Sequence, residues 1–179
     1  MKETRVDIQI PEEINVIIED YMVKISGPKG ELQREFVYPG ITITKTDSKV
    51  IVDTQLVGRS QIAMIGTFVS HIKNMIIGVT KGFEYKLKVV YAHFPIQVKV
   101  EGSTFSIGNF LGERKPRKAK ILPNVDIQIV KDEIFVRGIN KEYVAQTAAN
   151  MEQATRIKRR DPRVFQDGVH VVGWSQWTK

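Results

Sequence analysis

The feature that most restricts how this chain can fold is an internal repeat: an order of hairpin, hairpin and helix in the first half recurs in the second. Tyr21 to Phe36 reads as two alternating strands around the breaker Gly27-Pro28-Lys29-Gly30, and Ile96 to Phe110 reads as its counterpart around Glu101-Gly102-Ser103. A second hairpin follows in each half, Ile41 to Thr54 and Val125 to Gly138, both turning on charged residues between β-branched runs. A helix comes next. From Arg59 to Ile77 the apolar positions Ile62, Ile65, Val69, Ile72 and Ile76 recur every three or four residues. From Asn140 to Ile157, Val144, Ala148, Met151 and Thr155 do the same, with Asn140 placed as an N-cap. A constant offset of 79 residues pairs Gly66 with Ala145, Val69 with Ala148 and Ile72 with Met151. The small residues in that alignment predict close approach of each helix to its sheet.

The repeat therefore predicts an α+β fold of two tandem similar domains from an internal duplication, each an antiparallel sheet packed with a helix. Residues 1–81 form the first and residues 82–179 the second. Gly78 to Gly82 is the expected connection, and a strand from Tyr85 to Val90 opens the second domain.

Charge separates the two halves. The chain carries 27 Lys and Arg against 20 Asp and Glu, for a net charge of +7 and a pI near 9.6. Up to Val89 there are 12 basic and 11 acidic residues, leaving 15 and 9 for the remainder, so +6 of the excess lies in the second half. Such an excess favours a polyanionic partner, because clustered cations release counterions condensed on phosphates. Two clusters carry it. Arg114, Lys115, Arg117, Lys118 and Lys120 lie within seven residues around Pro116 and read as a basic loop or arm; Arg156, Lys158, Arg159, Arg160 and Arg163 begin at the end of the second helix. One or two cations suffice to complement a helix C-terminus, and five exceed that need. Phe105, Phe110 and Phe165 flank the clusters. The first and last of these read as core or loop anchors, whereas Trp174 and Trp177 in a polar tail read as docked on something.

Several classes are excluded or disfavoured. No run approaches the roughly 18 to 20 uninterrupted apolar residues of a membrane span, and the charged start predicts no cleaved export signal. Without cysteine there is no disulfide, thiolate zinc site or cysteine nucleophile, which fits a reducing interior. No nucleophile elbow, zinc-protease or phosphate-loop motif occurs, and His71, His93 and His170 lack metal-ligand spacing, so neither catalytic nor metal-ligating residues are expected.

Val23 to Leu32 (VKISGPKGEL), Thr80 to Val90 (TKGFEYKLKVV) and the series Gln153, Ile157, Arg160, Arg163, Phe165, Asp167-Gly168 together resemble the large-subunit ribosomal protein family numbered six in bacteria and nine in eukaryotes. The last spacing resembles the archaeal and eukaryotic form; His170 departs from it, standing where Tyr or Phe is expected. The resemblance implies a cytoplasmic ribosomal protein without enzymatic activity, cofactor or small-molecule substrate. It implies that the second domain binds large-subunit rRNA near the sarcin-ricin region, beside neighbouring ribosomal proteins and close to where translation factors dock. The implied rRNA-binding residues are the ten cations of the two clusters together with Gln153, Asp167 and Gly168. Gly168 is expected to supply a turn closed to other residues. The competing readings are a free-standing RNA-binding regulator using an open sheet face and an enzyme acting on nucleic acid.

Overall fold

A computed structural model describes residues 5–56 and 58–177. They fall into two compact units that divide between Gly82 and Phe83. In the first unit, β1 (Arg5–Gln9), β6 (Lys49–Thr54) and β5 (Ile41–Thr46) form one antiparallel sheet with β6 central. A separate antiparallel meander runs β2 (Asn15–Glu19), β3 (Met22–Gly27) and β4 (Gly30–Glu35). The helix α1 (Arg59–Thr80) packs on both. Alternation explains the inner faces: Val50 and Val52 of β6 and Val23 and Ile25 of β3 are fully buried, and they meet Ile65, Ile72 and Val79 of α1. By length and mean hydropathy α1 could cross a membrane, but Phe68, Val69, Met75 and Ile76 complete a buried stripe that belongs to the core of this unit.

The second unit repeats the order. Its strands are β7 (Phe83–Val90), β8 (Gln97–Glu101), β9 (Thr104–Gly108), β10 (Arg117–Lys120), β11 (Val125–Val130) and β12 (Glu133–Gly138), followed by α2 (Lys141–Ala154) and β13 (Gly168–Gln176). The order β11-β12-β7 matches β5-β6-β1, and the meander β8-β9-β10 matches β2-β3-β4. Burial repeats as well. The central strands β6 and β12 share one alternating pattern, with Val50, Val52 and Thr54 answering Ile134, Val136 and Gly138. On the helices Val69 and Ala148, and Ile72 and Met151, are all buried, as are Ile65 and Val144 at the same spacing. Asn140 caps α2, its Oδ1 accepting from the N–H of Glu142 at 3.0 Å and of Tyr143 at 3.4 Å, an arrangement worth about 1 kcal/mol.

Four expectations are corrected. The hairpin Tyr21 to Phe36 is β3-β4, whereas Ile96 to Phe110 holds β8-β9, so the first pairing of the repeat was displaced by one strand. The strand that upsets it, β2, carries the unbroken apolar run Val16-Ile17-Ile18, which hides the alternation of its burial, and ends in a turn where Asp20 takes φ +51°. Gly66 and Ala145 are not contact points: Gly66 is exposed, with open space where a Cβ would stand, and Ala145 is only half-buried. Close approach occurs instead at Gly27, where a Cβ would lie 2.8 Å from Val79 Cγ2. Gly78 to Thr80 is not a linker but the last turn of α1, kept helical by the burial of Gly78 and Val79; the turn proper is Lys81-Gly82, with Gly82 at φ +76°.

The fourth correction concerns the basic arm. Arg117–Lys120 is an edge strand in register with β9, Arg117 opposite Ile107 and Ala119 opposite Phe105. Ala119 is its only buried side chain, so the alternation that marks a strand was hidden under charge. Charged edge strands of this sort resist pairing with foreign strands.

Candidate nucleic-acid interface

Strand β10 lies along α2: Asn150 Nδ2 donates to the Lys120 carbonyl at 3.0 Å, and the Leu122 N–H donates to Thr147 Oγ1 at 3.2 Å. Arg117 joins the two basic clusters. Its Nη1 donates to the carbonyls of Ala154 (3.0 Å) and Arg156 (3.2 Å), its Nε and Nη2 grip Glu113 at 2.9 and 2.6 Å, and its guanidinium sits 4.2 Å from the centre of the Phe110 ring. Arg117 thus satisfies carbonyls left open at the end of α2, a duty the nearby arginines of the second cluster do not perform. The hydrogen bonds from Arg117 hold the Glu113 carboxyl below the usual carboxylate range, against a smaller opposing effect of burial. The first unit shows the same device, where the Lys29 ammonium donates to the Lys81 carbonyl beside the end of α1.

With Arg117 committed, the other cations stand outward. Arg114, Lys115, Lys118, Lys120, Arg156, Lys158, Arg159 and Arg160 are exposed and meet no carboxylate among the described residues. Arg163 is 90% exposed but bound to Asp161 at 3.1 Å; its side-chain and backbone hydrogen bonds lower the Asp161 pKa and close the turn after α2. Arg159 reaches its place through a left-handed backbone, φ +60°. The cations of the arm and of the turn therefore flank one bridge, the Arg117 contact to Ala154 and Arg156.

Asp167 and Gly168 turn inward. The Asp167 side chain is 1% exposed; its Oδ2 accepts from the N–H of Ala92 (3.0 Å) and His93 (3.2 Å), and its Oδ1 lies 2.8 Å from His93 Nδ1. Burial works against its ionisation, but these hydrogen bonds outweigh burial and hold the carboxyl below its ordinary range. A carboxylate so enclosed spends its oxygens within its own unit; it fastens the chain before β13 to the residues that follow β7. Gly168 is the buried first residue of β13, at φ +157°, and a Cβ there would lie 3.1 Å from Thr155 Oγ1. Gly168 serves that close approach rather than a turn.

Phe105 and Phe110 are buried and present no stacking face. Phe165 stacks on His93 with centroids 4.8 Å apart and carries the Arg160 guanidinium 4.6 Å from its ring centre. Between the end of α2 and the start of β13 lies a cleft of about 620 Å³, bordered by Gln153, Arg156, Ile157, Pro162, Phe165 and Gln166. Neither the role of His93 nor this cleft was legible beforehand, since 74 residues separate His93 from Asp167. The tryptophans dock on their own unit: Lys141 Nζ is 4.8 Å from the Trp174 ring, and the Arg137 guanidinium is 5.7 Å from that of Trp177.

The family model for Ribosomal protein L6 matches twice, over residues 10–82 and 94–168. The large ribosomal subunit protein uL6 of Methanosarcina mazei is 55% identical over 172 residues, 96% of this chain and 98% of the relative. Those of Methanothrix thermoacetophila (52%, over 92% of this chain and 94% of the relative) and Methanobrevibacter smithii (51%, over 94% of each) are similar. Two matches that fall one in each structural unit, and identity above one half along nearly the whole length, show that this chain belongs to the ribosomal protein L6 family, whose members are structural and not enzymes.

Proposed function

We propose that this protein is a constituent of the large subunit of the cytoplasmic ribosome and binds large-subunit (23S-type) rRNA mainly through residues 82–179. The observation that carries this reading is the Arg117 bridge: it brings two basic clusters together while eight of their ten cations meet no carboxylate among the described residues. Arg114, Lys115, Lys118, Lys120, Arg156, Lys158, Arg159 and Arg160 contact phosphates, Arg163 and Gln153 border the RNA, and Arg117, Asp167 and Gly168 hold the surface in shape. Phosphate contacts of this kind fix position and read the shape of folded RNA rather than its sequence. The surface supports the sarcin-ricin region near which translation factors dock, with neighbouring ribosomal proteins around it.

A test separates this from a free-standing RNA-binding regulator. The tagged protein should remain with large subunits through sucrose-gradient sedimentation after a high-salt wash. It should also protect a compact set of rRNA nucleotides adjoining the sarcin-ricin region from hydroxyl radicals. Release into the soluble fraction, with protection of RNAs outside the ribosome, would favour the regulator.

A further inference from the structure

We propose that the cleft between the end of α2 and the start of β13 receives one unpaired nucleobase of the bound RNA, an inference that rests on the rRNA-binding reading and adds to it a site for a single base. The cleft has the composition such a ligand needs. Ile157, Pro162 and the edge of the Phe165 ring, whose faces meet His93 and Arg160, supply apolar wall, while Gln153 and Gln166 border it with amides able both to donate and to accept along a base edge. Gln153 is exposed, and its side-chain amide has no hydrogen-bond partner among the described residues; Gln166 spends its Nε2 on the Arg163 carbonyl at 3.3 Å, and no described residue donates to its side-chain oxygen. Arg156 stands on the same rim without a carboxylate partner, placed for the phosphate attached to that base. The strand cations Lys118 and Lys120 have no comparable wall beside them, because Phe105 and Phe110 are buried, and they can address phosphate only.

The walls are also held in advance. Asp167 ties the chain before β13 to Ala92 and His93, Thr155 Oγ1 accepts from the Val169 N–H at 3.0 Å, and Phe165 is clamped between His93 and Arg160. A cavity shaped before binding spends little on ordering its side chains. A free nucleotide is the poorer fit, since Glu152 also borders the cleft and Arg156 is the one Lys or Arg among its described lining residues.

The experiment uses the full-length protein and the rRNA fragment it protects, prepared with each unpaired nucleotide replaced in turn by an abasic residue. At one position the loss of the base should weaken binding about tenfold at constant salt, as expected for one sequestered base. Gln153→Leu with Gln166→Leu should weaken the intact fragment by a similar factor, leave the salt dependence unchanged, and make the abasic substitution at that position silent. Tight binding that tolerates every abasic substitution would overturn this proposal alone. Failure to bind the fragment at all would overturn the rRNA reading and this proposal with it.

Discussion

Replacing Arg117 by Met should cost the second unit more stability than any other change among the ten clustered cations. The two carbonyl hydrogen bonds contribute about 1 kcal/mol each. The contact with the Phe110 ring adds about 0.5 kcal/mol, and the pair with Glu113, which is 41% exposed, adds only a few tenths after solvent screening. The total is about 2 to 3 kcal/mol, and Met keeps most of the aliphatic stem so that lost packing contributes little. Both tryptophans of the chain, Trp174 and Trp177, lie in the second unit, so urea unfolding followed by tryptophan fluorescence reports on that unit alone. Lys118→Met, at an exposed position of the same strand, is the control and should change stability by less than about 0.5 kcal/mol. In RNA binding the order of mechanisms reverses: Lys118→Met should reduce the salt slope by about 0.7 to 0.9, while Arg117→Met should weaken binding without a matching change in slope. An Arg117→Met protein as stable as the Lys118→Met control would refute the bridge.

Asp167→Asn should destabilise the same unit by about 2 kcal/mol at neutral pH, through the loss of charge-assisted hydrogen bonds at a buried site. Because the folded-state pKa of Asp167 is depressed, that contribution is present above the unfolded-state value of about 4 and is lost as pH falls below it, so denaturation curves of mutant and parent should converge in acid. Gly168→Ala, which sets a Cβ 3.1 Å from Thr155 Oγ1 in a backbone at φ +157°, should cost about 1 to 3 kcal/mol. Gly173→Ala meets nothing within 4 Å and should stay within about 0.5 kcal/mol by the same fluorescence assay. In the first unit Gly66→Ala, exposed within α1, should stabilise by about 0.5 to 1 kcal/mol, read from loss of helical circular dichroism during urea unfolding.

The duplication and both helices were legible because a helix reports itself through a long periodic stripe, and Ile65, Val69 and Ile72 keep the same spacing as Val144, Ala148 and Met151. Short strands report themselves poorly. β2 has an apolar run in place of a polar and apolar alternation, and β10 has one apolar position among charges, so the sequence shows each meander short of a strand and pairs the hairpins out of step. The sequence of β13 resembles a turn and a tail because Gly168 and Gly173 interrupt it and Val172 sits at an irregularity of its pairing with β7.

The residues of the site were legible as charge, but their division of labour was not. Which arginine closes the end of α2 depends on a contact spanning 37 residues, and nothing local marks Arg117 apart from Arg114. Asp167 belongs to a local motif, yet its burial against Ala92 and His93 is a tertiary fact that no local pattern announces.

If the cations of the arm and of the turn act as one surface for folded rRNA, the salt dependence of binding shows it most directly. If roughly five of the eight outward cations meet phosphate, log affinity should fall against log salt with a slope of about −3.5 to −4.5. Replacing Lys118 and Lys120 together, or Arg159 and Arg160 together, should shallow that slope to a similar degree. A slope near zero, or one that responds to only one of the two pairs, would contradict a single surface.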